Sequence, residues 1–312
     1  MSSEIKVSVC VVTYNQEKYI AECLQSLVDQ KTDFKFEIIV GEDCSTDNTK
    51  AIVEEFQKKY PDIIRPMFHE SNVGAVGNML AAYRAAKGKY IAHVDGDDLA
   101  LPYKLQYQFN ALEKNPDCMI CSHDVNLINA AGKDLGNSFR KHKSGINTLL
   151  DLYETLPFFA HSSKMFVNDL LSNYWNDFHS ETLDIEIHVQ QAKLGNIFHL
   201  AESYGCYRVF TGVTTSTKLL NPMLPNGTRR IFKQAFQDGK IKSEVLKRQY
   251  AQALFNYAYQ AAVMGDRESL RKYIKESIDL SLISKKQNYF YKLSAIPSIV
   301  IIICKTRAFF KL

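Results

Sequence analysis

An α/β fold with a mainly parallel central sheet is predicted by two features of the first 125 residues. Apolar runs rich in β-branched residues recur along this stretch, and segments with helical apolar spacing separate them. Strands that are apolar throughout are covered on both faces, the habit of parallel strands joined by helical crossovers. A third feature concerns chemistry. Polar and acidic groups follow three of the predicted strands, and open sheets of this kind bind ligands beyond the carboxyl ends of their strands.

The first strand is "VSVCVV" (7–12), followed by Thr13-Tyr14-Asn15-Gln16-Glu17. A helix is predicted over "EKYIAECLQSLVDQ", with Ile20, Leu24, Leu27 and Val28 at helical spacing. "FEIIV" (36–40) is the second strand, and Gly41-Glu42-Asp43 stands at its end. In "TDNTKAIVEEFQKKY", Ile52, Phe56 and Tyr60 lie four apart. Ser45 or Thr46 is expected to cap that helix, with Asp47 in its positive first turn. After a short run near 63–68 comes "GAVGNMLAAYRAA", with Val76, Leu80 and Tyr83 on one face. "KYIAHV" (89–94) is a strand that ends abruptly in Asp95-Gly96-Asp97-Asp98. "LQYQFNALEK" groups Leu105, Phe109 and Leu112 on a helix, and "CMICS" (118–122) is a further strand.

Three carboxylates within four residues repel one another unless a cation lies between them. Hard divalent ions such as Mg²⁺ take oxygen ligands, commonly one or two carboxylates plus substrate phosphates. The spacing is not that of an EF-hand, because Leu99 and Ala100 occupy the positions that need an oxygen ligand and a glycine. No Walker A sequence and no Gly-x-Gly-x-x-Gly is present to cradle phosphates, so phosphate binding must lean on the metal.

These stretches carry a resemblance. "VSVCVVTYNQEKYIAECLQSL", "IIVGEDCSTDNT", "SNVGAVGNMLAAYRAAKGKYIAHVDGDD" and "DIEIHVQQAKLGNIFHLAESYGCYR" resemble the family 2 glycosyltransferases of GT-A fold, over about residues 7–208. The resemblance implies an inverting transfer of a sugar from a nucleotide-diphosphate donor to a glycan or lipid-linked glycan acceptor. It places Thr13, Tyr14, Asn15 and Glu17 beside the base and ribose, and gives Asp43 the reading of the base. Asp95 and Asp97 become the Asp-x-Asp pair, Asp95 facing the ribose and Asp97 holding Mg²⁺ or Mn²⁺, with Asp98 able to share that work. The acceptor's general base is then Asp184, eleven residues before Gly195. A UDP-sugar is the expected donor, since the uracil imide N–H suits Asp43; dTDP offers the same imide, and GDP is a further alternative. Three departures stand out. Val76-Gly77-Asn78 replaces Ala-Arg-Asn, Phe210 replaces the histidine of Tyr-Arg-x-His, and Glu42 stands where Asp is usual.

Read on spacing alone, Asp184 has two roles open to it. It precedes a helical face of Ile185, Val189 and Ala192, where a carboxylate in the first turn stabilises by roughly 0.3–1 kcal/mol; it can equally be the base, with Glu181 and Glu186 as substitutes. Two rival functions share some of these features. An aspartate-nucleophile phosphohydrolase would carry its Asp-x-Asp at the first strand, which here ends in Thr-Tyr-Asn. A non-catalytic glycan-binding protein on a transferase-like fold would not need Asp97 and Asp184.

Composition bounds the rest. The chain has 312 residues, of which 46% are hydrophobic and 23% charged, as in globular proteins. The first residues lack the basic-then-apolar order of a signal peptide, and no apolar run approaches the roughly 18 residues of a membrane span. Seven scattered cysteines suit a reduced, cytoplasmic chain. Cys118-x-x-Cys121 lies in an apolar strand and is read as packing rather than a redox or zinc site. His93 and His161 are read as structural, with His161-Ser162-Ser163 a second possibility for the acceptor cleft. Residues 228–312 carry 17 Lys/Arg and 6 Asp/Glu, a net +11, whereas the preceding 227 carry 21 and 28, a net −7. The expected organisation is a GT-A domain over 1–215 (1–100 binding the nucleotide, 101–215 the acceptor) and a basic helical extension over 216–312. Its end, "YFYKLSAIPSIVIIICKTRAFFKL", interrupted by Pro297, is expected to lie on the cytoplasmic membrane surface, anchored by Ile299, Val300, Ile301 and Phe309 and by anionic lipid. A packed terminal helix is the alternative. Nucleic acid is not among the expected partners.

Overall fold

The computed structural model describes residues 4–169, 172–209 and 219–309. The elements run β1 (Ile5–Thr13), α1 (Ile20–Val28), β2 (Lys35–Glu42), α2 (Thr49–Lys59), β3 (Ile64–Phe68), α3 (Gly74–Ala85), β4 (Tyr90–Asp95), β5 (Leu99–Ala100), α4 (Lys104–Lys114), β6 (Cys118–Ile128), β7 (Asp134–Ser138), β8 (Gly145–Asn147), α5 (Leu149–Thr155), β9 (Met165–Val167), α6 (Asp184–Ala192) and β10 (Asn196–Arg208). Helices α7 (Met223–Asp238), α8 (Ser243–Met264), α9 (Arg267–Leu280), α10 (Lys285–Leu293) and α11 (Pro297–Phe309) follow. They form two compact units, one of residues 4–152 and 157–209, the other of 153–156 and 219–309. The boundary expected at 215 lies outside the described residues.

The first unit is built on one mixed sheet in the order β3-β2-β1-β4-β9-β6-β10-β5, with β7 beside β6 and β8 beside β10. Strands β1 to β4 are mutually parallel, as are β6 and β10. The antiparallel strand β9 sits between β4 and β6. At three residues it is too short to show a pattern in sequence. Strand β6 continues six residues past the apolar stretch, because its polar residues are bonded within the sheet. Ser122 Oγ pairs with His199 Nδ1 at 2.9 Å, and His199 Nε2 with Asp124 Oδ1 at 3.0 Å. Cys118 and Cys121 are buried and free, as packing requires.

Burial explains why these elements hold. Val7, Val9 and Val11 of β1 and Ile38 and Val40 of β2 are inaccessible, and α1 closes over the sheet with Ile20, Leu24 and Leu27. Each such side chain contributes about 1.5–3 kcal/mol on burial. Register then sets the site. Thr13 lies opposite Glu42 and Val12 opposite Asp95, so the loops after β1, β2 and β4 leave the sheet at one level.

Helix α2 starts later than expected. Its first residue is Thr49, and Asp47, not Ser45 or Thr46, takes the Thr49 N–H at 2.9 Å. Ser45 and Thr46 instead bond to the loop after β1.

The second unit is helical, as its aromatic and apolar spacing indicated. Alanines 258, 261 and 262 on α8 let α9 come close, with Leu254, Leu270, Ile274 and Phe290 completing the core. Pro297 opens α11 rather than interrupting it, at a helix position where a missing N–H costs nothing. Val300 and Cys304 are buried in that core and Ile301 packs against it, while Ile296, Ile299, Ile302 and Ile303 remain exposed. Thus Val300 is a packing residue, not the free anchor that the sequence suggested. The Phe309 side chain lies outside the described residues. No helix among the described residues is long and apolar enough to cross a membrane.

Candidate active site

The loops after β1 and β2 interlock. Asn15 sits in the left-handed region (φ 52°), which turns its amide toward the neighbouring loop. Asn15 N–H donates to Ser45 Oγ at 2.9 Å, and Thr46 N–H returns a bond to Asn15 Oδ1 at 2.8 Å. Gln16 N–H donates to Thr49 Oγ1, Glu17 N–H to Asp47 Oδ2, and Asn48 N–H to Glu17 Oε2. Thr13 is buried and donates to Gln16 Oε1 at 2.8 Å, leaving Tyr14 exposed at the rim.

Asp43 is buried at the end of the next strand. Its Oδ1 accepts Val73 N–H at 2.7 Å and its Oδ2 accepts Gly74 N–H at 3.0 Å, so the carboxylate caps the positive end of α3. Sequence reasoning did not foresee that task. Each oxygen keeps a second lone pair for a ligand.

The acidic turn after β4 packs on the first loop. A Cβ at Gly96 would lie 2.5 Å from Gln16 Oε1 and 2.9 Å from Thr13 Cβ, which is why glycine separates Asp95 from Asp97. Asp95 is gripped by its neighbours. Ser162 Oγ accepts the Asp95 N–H at 3.0 Å and donates to Asp95 Oδ2 at 2.8 Å, while His93 Nε2 lies 3.2 Å from Oδ1. Burial opposes ionisation of Asp95, but His93, the Ser162 hydroxyl and Lys164 outweigh it and hold the carboxyl below its ordinary value.

Asp97 and Asp98 are both buried. Asp98 Oδ1 accepts Arg208 N–H at 2.8 Å, whereas Oδ2 is buried without a hydrogen-bond partner. Burial, with Asp95 and Asp97 alongside, pushes the Asp98 carboxyl well above the carboxylate range. The Arg208 side chain holds the turn: Nε donates to the Asp97 carbonyl at 2.9 Å, Nη1 to the carbonyls of Asn129 and Ala130, and Nη2 to Glu22.

Asp184 is the first residue of α6. Its carboxylate is open to solvent yet crowded by protein, and this crowding, with Asp95 nearby, pushes it up to about 6, despite His93 and Lys164 pulling the other way. Two lysines of this region are buried. Burial brings Lys164 down to about 7, where Asp184 and Asp95 are the leading acids holding its proton. Lys104, brought down to about 8 by burial, donates to the Ser162 carbonyl at 3.0 Å. His161 and His188 pair at 3.0 Å, both held neutral by burial.

All eight site residues expected from sequence therefore stand along one edge of the sheet. Arg208, Ser162, Lys104 and Lys164 were missed as supports. Arg208 had a signal in Tyr207-Arg208. Ser162 follows His161 in a stretch whose sequence suggests the acceptor cleft, not the support of Asp95. A lysine opening an amphipathic helix, as Lys104 does, ordinarily faces solvent, so its burial had no sequence signal.

The profile of glycosyl transferase family 2 matches residues 8–175. The chain belongs to glycosyl transferase family 2. An uncharacterized protein of Mycobacterium tuberculosis is 30% identical over 215 residues, covering 65% of this chain. The chain spans only 58% of the length of that relative. Among solved structures, Staphylococcus aureus TarS (residues 1–349), in complex with UDP-GlcNAc, superposes with a TM-score of 0.66 at 21% identity, over 96% of this chain and 89% of that one. The mannosyltransferase PcManGT of Pyrobaculum calidifontis, in complex with GDP-Man and Mn²⁺, gives 0.60 at 16% identity, over 98% and 88%. These likenesses show the GT-A fold for this family 2 chain: an α/β domain with a largely parallel sheet, followed by helices.

Proposed function

We propose that this protein is an inverting glycosyltransferase that moves a sugar from a nucleotide diphosphate to a hydroxyl of a glycan or lipid-linked glycan. The observation that carries the reading is the Asp184 carboxylate, reachable by solvent and tuned to about 6, on the edge that bears Asp95, Asp97 and Asp98. A general base works best with a proton affinity near the operating pH.

Thr13, Tyr14, Asn15 and Glu17 line the nucleoside, Asp43 accepts the base's imide N–H through its free lone pairs, and Asp95 takes the ribose. UDP is the donor nucleotide of choice; the UDP-GlcNAc held by TarS supports it. Residues 1–100 are then the nucleotide half and 101–215 the acceptor half. The residues fit a hard divalent cation. Asp97 and Asp98 offer only oxygen ligands, and the partnerless Asp98 Oδ2 sits where two neighbouring carboxylates disfavour its charge. Asp97 and Asp98 would hold Mg²⁺ or Mn²⁺ against the donor phosphates; the Mn²⁺ with PcManGT supports this. Such an ion stabilises the negative charge that develops on the departing diphosphate. Asp184 takes the acceptor hydroxyl's proton as the oxygen attacks the anomeric carbon, and Arg208 and Ser162 keep the acidic turn from shifting as that charge changes.

The second unit, the basic extension, is proposed to rest on the inner face of the cytoplasmic membrane. The exposed Ile296, Ile299, Ile302 and Ile303 beside a net +11 support that placement. The deciding experiment is a thermal-shift screen of nucleotide sugars with and without Mn²⁺, followed by product analysis with the donor that stabilises most. Stabilisation by UDP-sugars only with Mn²⁺, and release of UDP, is the expected result; no stabilisation by any nucleotide sugar overturns the reading.

A further inference from the structure

A cavity of about 550 Å³ lies outside the acidic edge, lined by residues including Lys141, His142, Lys143, Asn147 and Asp151. It is in the size range of small-ligand sites. The segment Phe139-Arg140-Lys141-His142-Lys143-Ser144-Gly145 contains three fixed positive charges and no acid, within a part of the chain whose net charge is −7. A local positive patch on a negative body is a field that selects anions.

The patch is built, not merely exposed. Arg140 Nη1 donates to the Pro157 carbonyl at 2.7 Å, tying the segment to the residue before Phe158. The His142 ring stacks on Phe158 with centroids 4.3 Å apart, and its Nε2 lies 2.7 Å from Asn147 Oδ1. Asp151, the cavity's acid, is already engaged by the Thr148 N–H at 2.7 Å and the Thr148 hydroxyl. Lys141 and Lys143 are left exposed on either side of the fixed imidazole.

Its position relative to the base follows from ring contacts. Phe158 meets Phe159 edge-on at 5.1 Å, and Phe159 lies 4.6 Å from the ring of His188. His188 is one turn along α6 from Asp184. The same aromatic stack that supports the helix of the base therefore supports the cationic cavity. β8 also leads the chain into this region antiparallel to β10, so Ser144 and Lys143 continue toward the carboxyl ends of the strands.

The geometry points to an acceptor subsite in which Lys141, His142 and Lys143 hold a phosphate or carboxylate group of the acceptor, one or more units away from the hydroxyl at Asp184. The acceptor is thus an anionic chain. This subsite rests on the transferase reading, but its binding can be tested without it.

Inorganic phosphate and glucuronate, as probes of the two anion types, are titrated separately into the full chain, with glucose as the neutral control. Amide and imidazole NMR signals of 141–147 are followed. Saturable shifts there with either anion and none with glucose are expected, and the more effective probe identifies the group. In K141A/K143A, which removes two of the three groups, the affinity should fall at least about tenfold, the scale of one lost charge-assisted hydrogen bond. Hydrolysis of the donor by water, measured in parallel, should be unchanged in that variant. Shifts confined to Asp95–Asp98, equal binding by the variant, or equal binding of glucose would each overturn the subsite. Absence of donor hydrolysis in the unmodified chain would instead count against the transferase reading and leave the anion result standing.

Discussion

Replacing Asp184 by Asn should slow transfer sharply and stabilise the fold, and the pH dependence of both effects follows from one number. A carboxyl near 3.9 in an unfolded chain and at about 6 here binds its proton more tightly when folded. The associated stability is complete below about pH 4 and is lost as the pH rises through 6. At pH 7 the ionised carboxylate therefore destabilises the native protein. The full difference would be about 3 kcal/mol at ~1.4 kcal/mol per tenfold in proton affinity. Asp184 is open to solvent, however, and screening reduces this to about 1 kcal/mol. Asp184→Asn should accordingly melt about 2 °C higher at pH 7 and no higher at pH 4. Transfer should fall by about 10²–10⁴, the usual worth of a general base, with donor affinity kept. In the unmodified enzyme, activity should drop roughly tenfold between pH 7 and pH 5 as the ionised fraction falls from about 90% to about 10%. Calorimetry at the two pH values and a transfer assay give the answer. Near-normal turnover in Asp184→Asn would move the base to Glu181 or Glu186, and lower stability at pH 7 would refute the electrostatic account.

Other outcomes can be checked alongside. Asp97→Ala should abolish metal-dependent donor binding; titration of nucleotide sugar with and without Mn²⁺ reads it, and an unchanged metal dependence would release Asp97 from the role. Ser162→Ala removes two hydrogen bonds from Asp95 and should weaken donor binding about tenfold, as measured by calorimetric titration. Gly96→Ala forces a Cβ to within 2.5 Å of Gln16 Oε1 and should lower donor affinity without unfolding the domain, a split visible by comparing binding with melting. Removing 295–312 would strip Val300 and Cys304 from a core, so membrane contact is better tested with I299Q/I302Q/I303Q. That variant should sediment less with anionic vesicles, and equal sedimentation would leave α11 as a packing element only.

The parallel half of the fold was legible because β1, β2 and β4 are buried on both faces and so are apolar at every position. Strand β9 and the far half of β6 were not, the first for brevity and the second because its charged Asp124 finds a partner, His199, inside the sheet. The acidic turn could be read from Asp95-Gly96-Asp97-Asp98 itself. What holds the turn could not, since Arg208 lies 110 residues from Asp98 and Ser162 lies 67 from Asp95. Long-range polar contacts leave no periodicity.

The interlocked loops after β1 and β2 bear on how this chain can change over time. Side chains of Asn15 and Glu17 satisfy backbone amides of Thr46 and Asn48, while Ser45, Thr49 and Asp47 do the same for Asn15, Gln16 and Glu17. A replacement in one loop strands a donor in the other, at about 1–3 kcal/mol if water cannot reach it. The stranded donors are backbone N–H groups, which a side-chain replacement at the facing position does not remove: losing the Thr49 hydroxyl leaves the half-buried Gln16 N–H unpaired, whereas losing the Asn15 side chain leaves the exposed Thr46 N–H to water. Evolving a new nucleotide preference here is therefore freer at Asn15 than at Asp47 or Thr49, whose side chains hold half-buried amides of the facing loop.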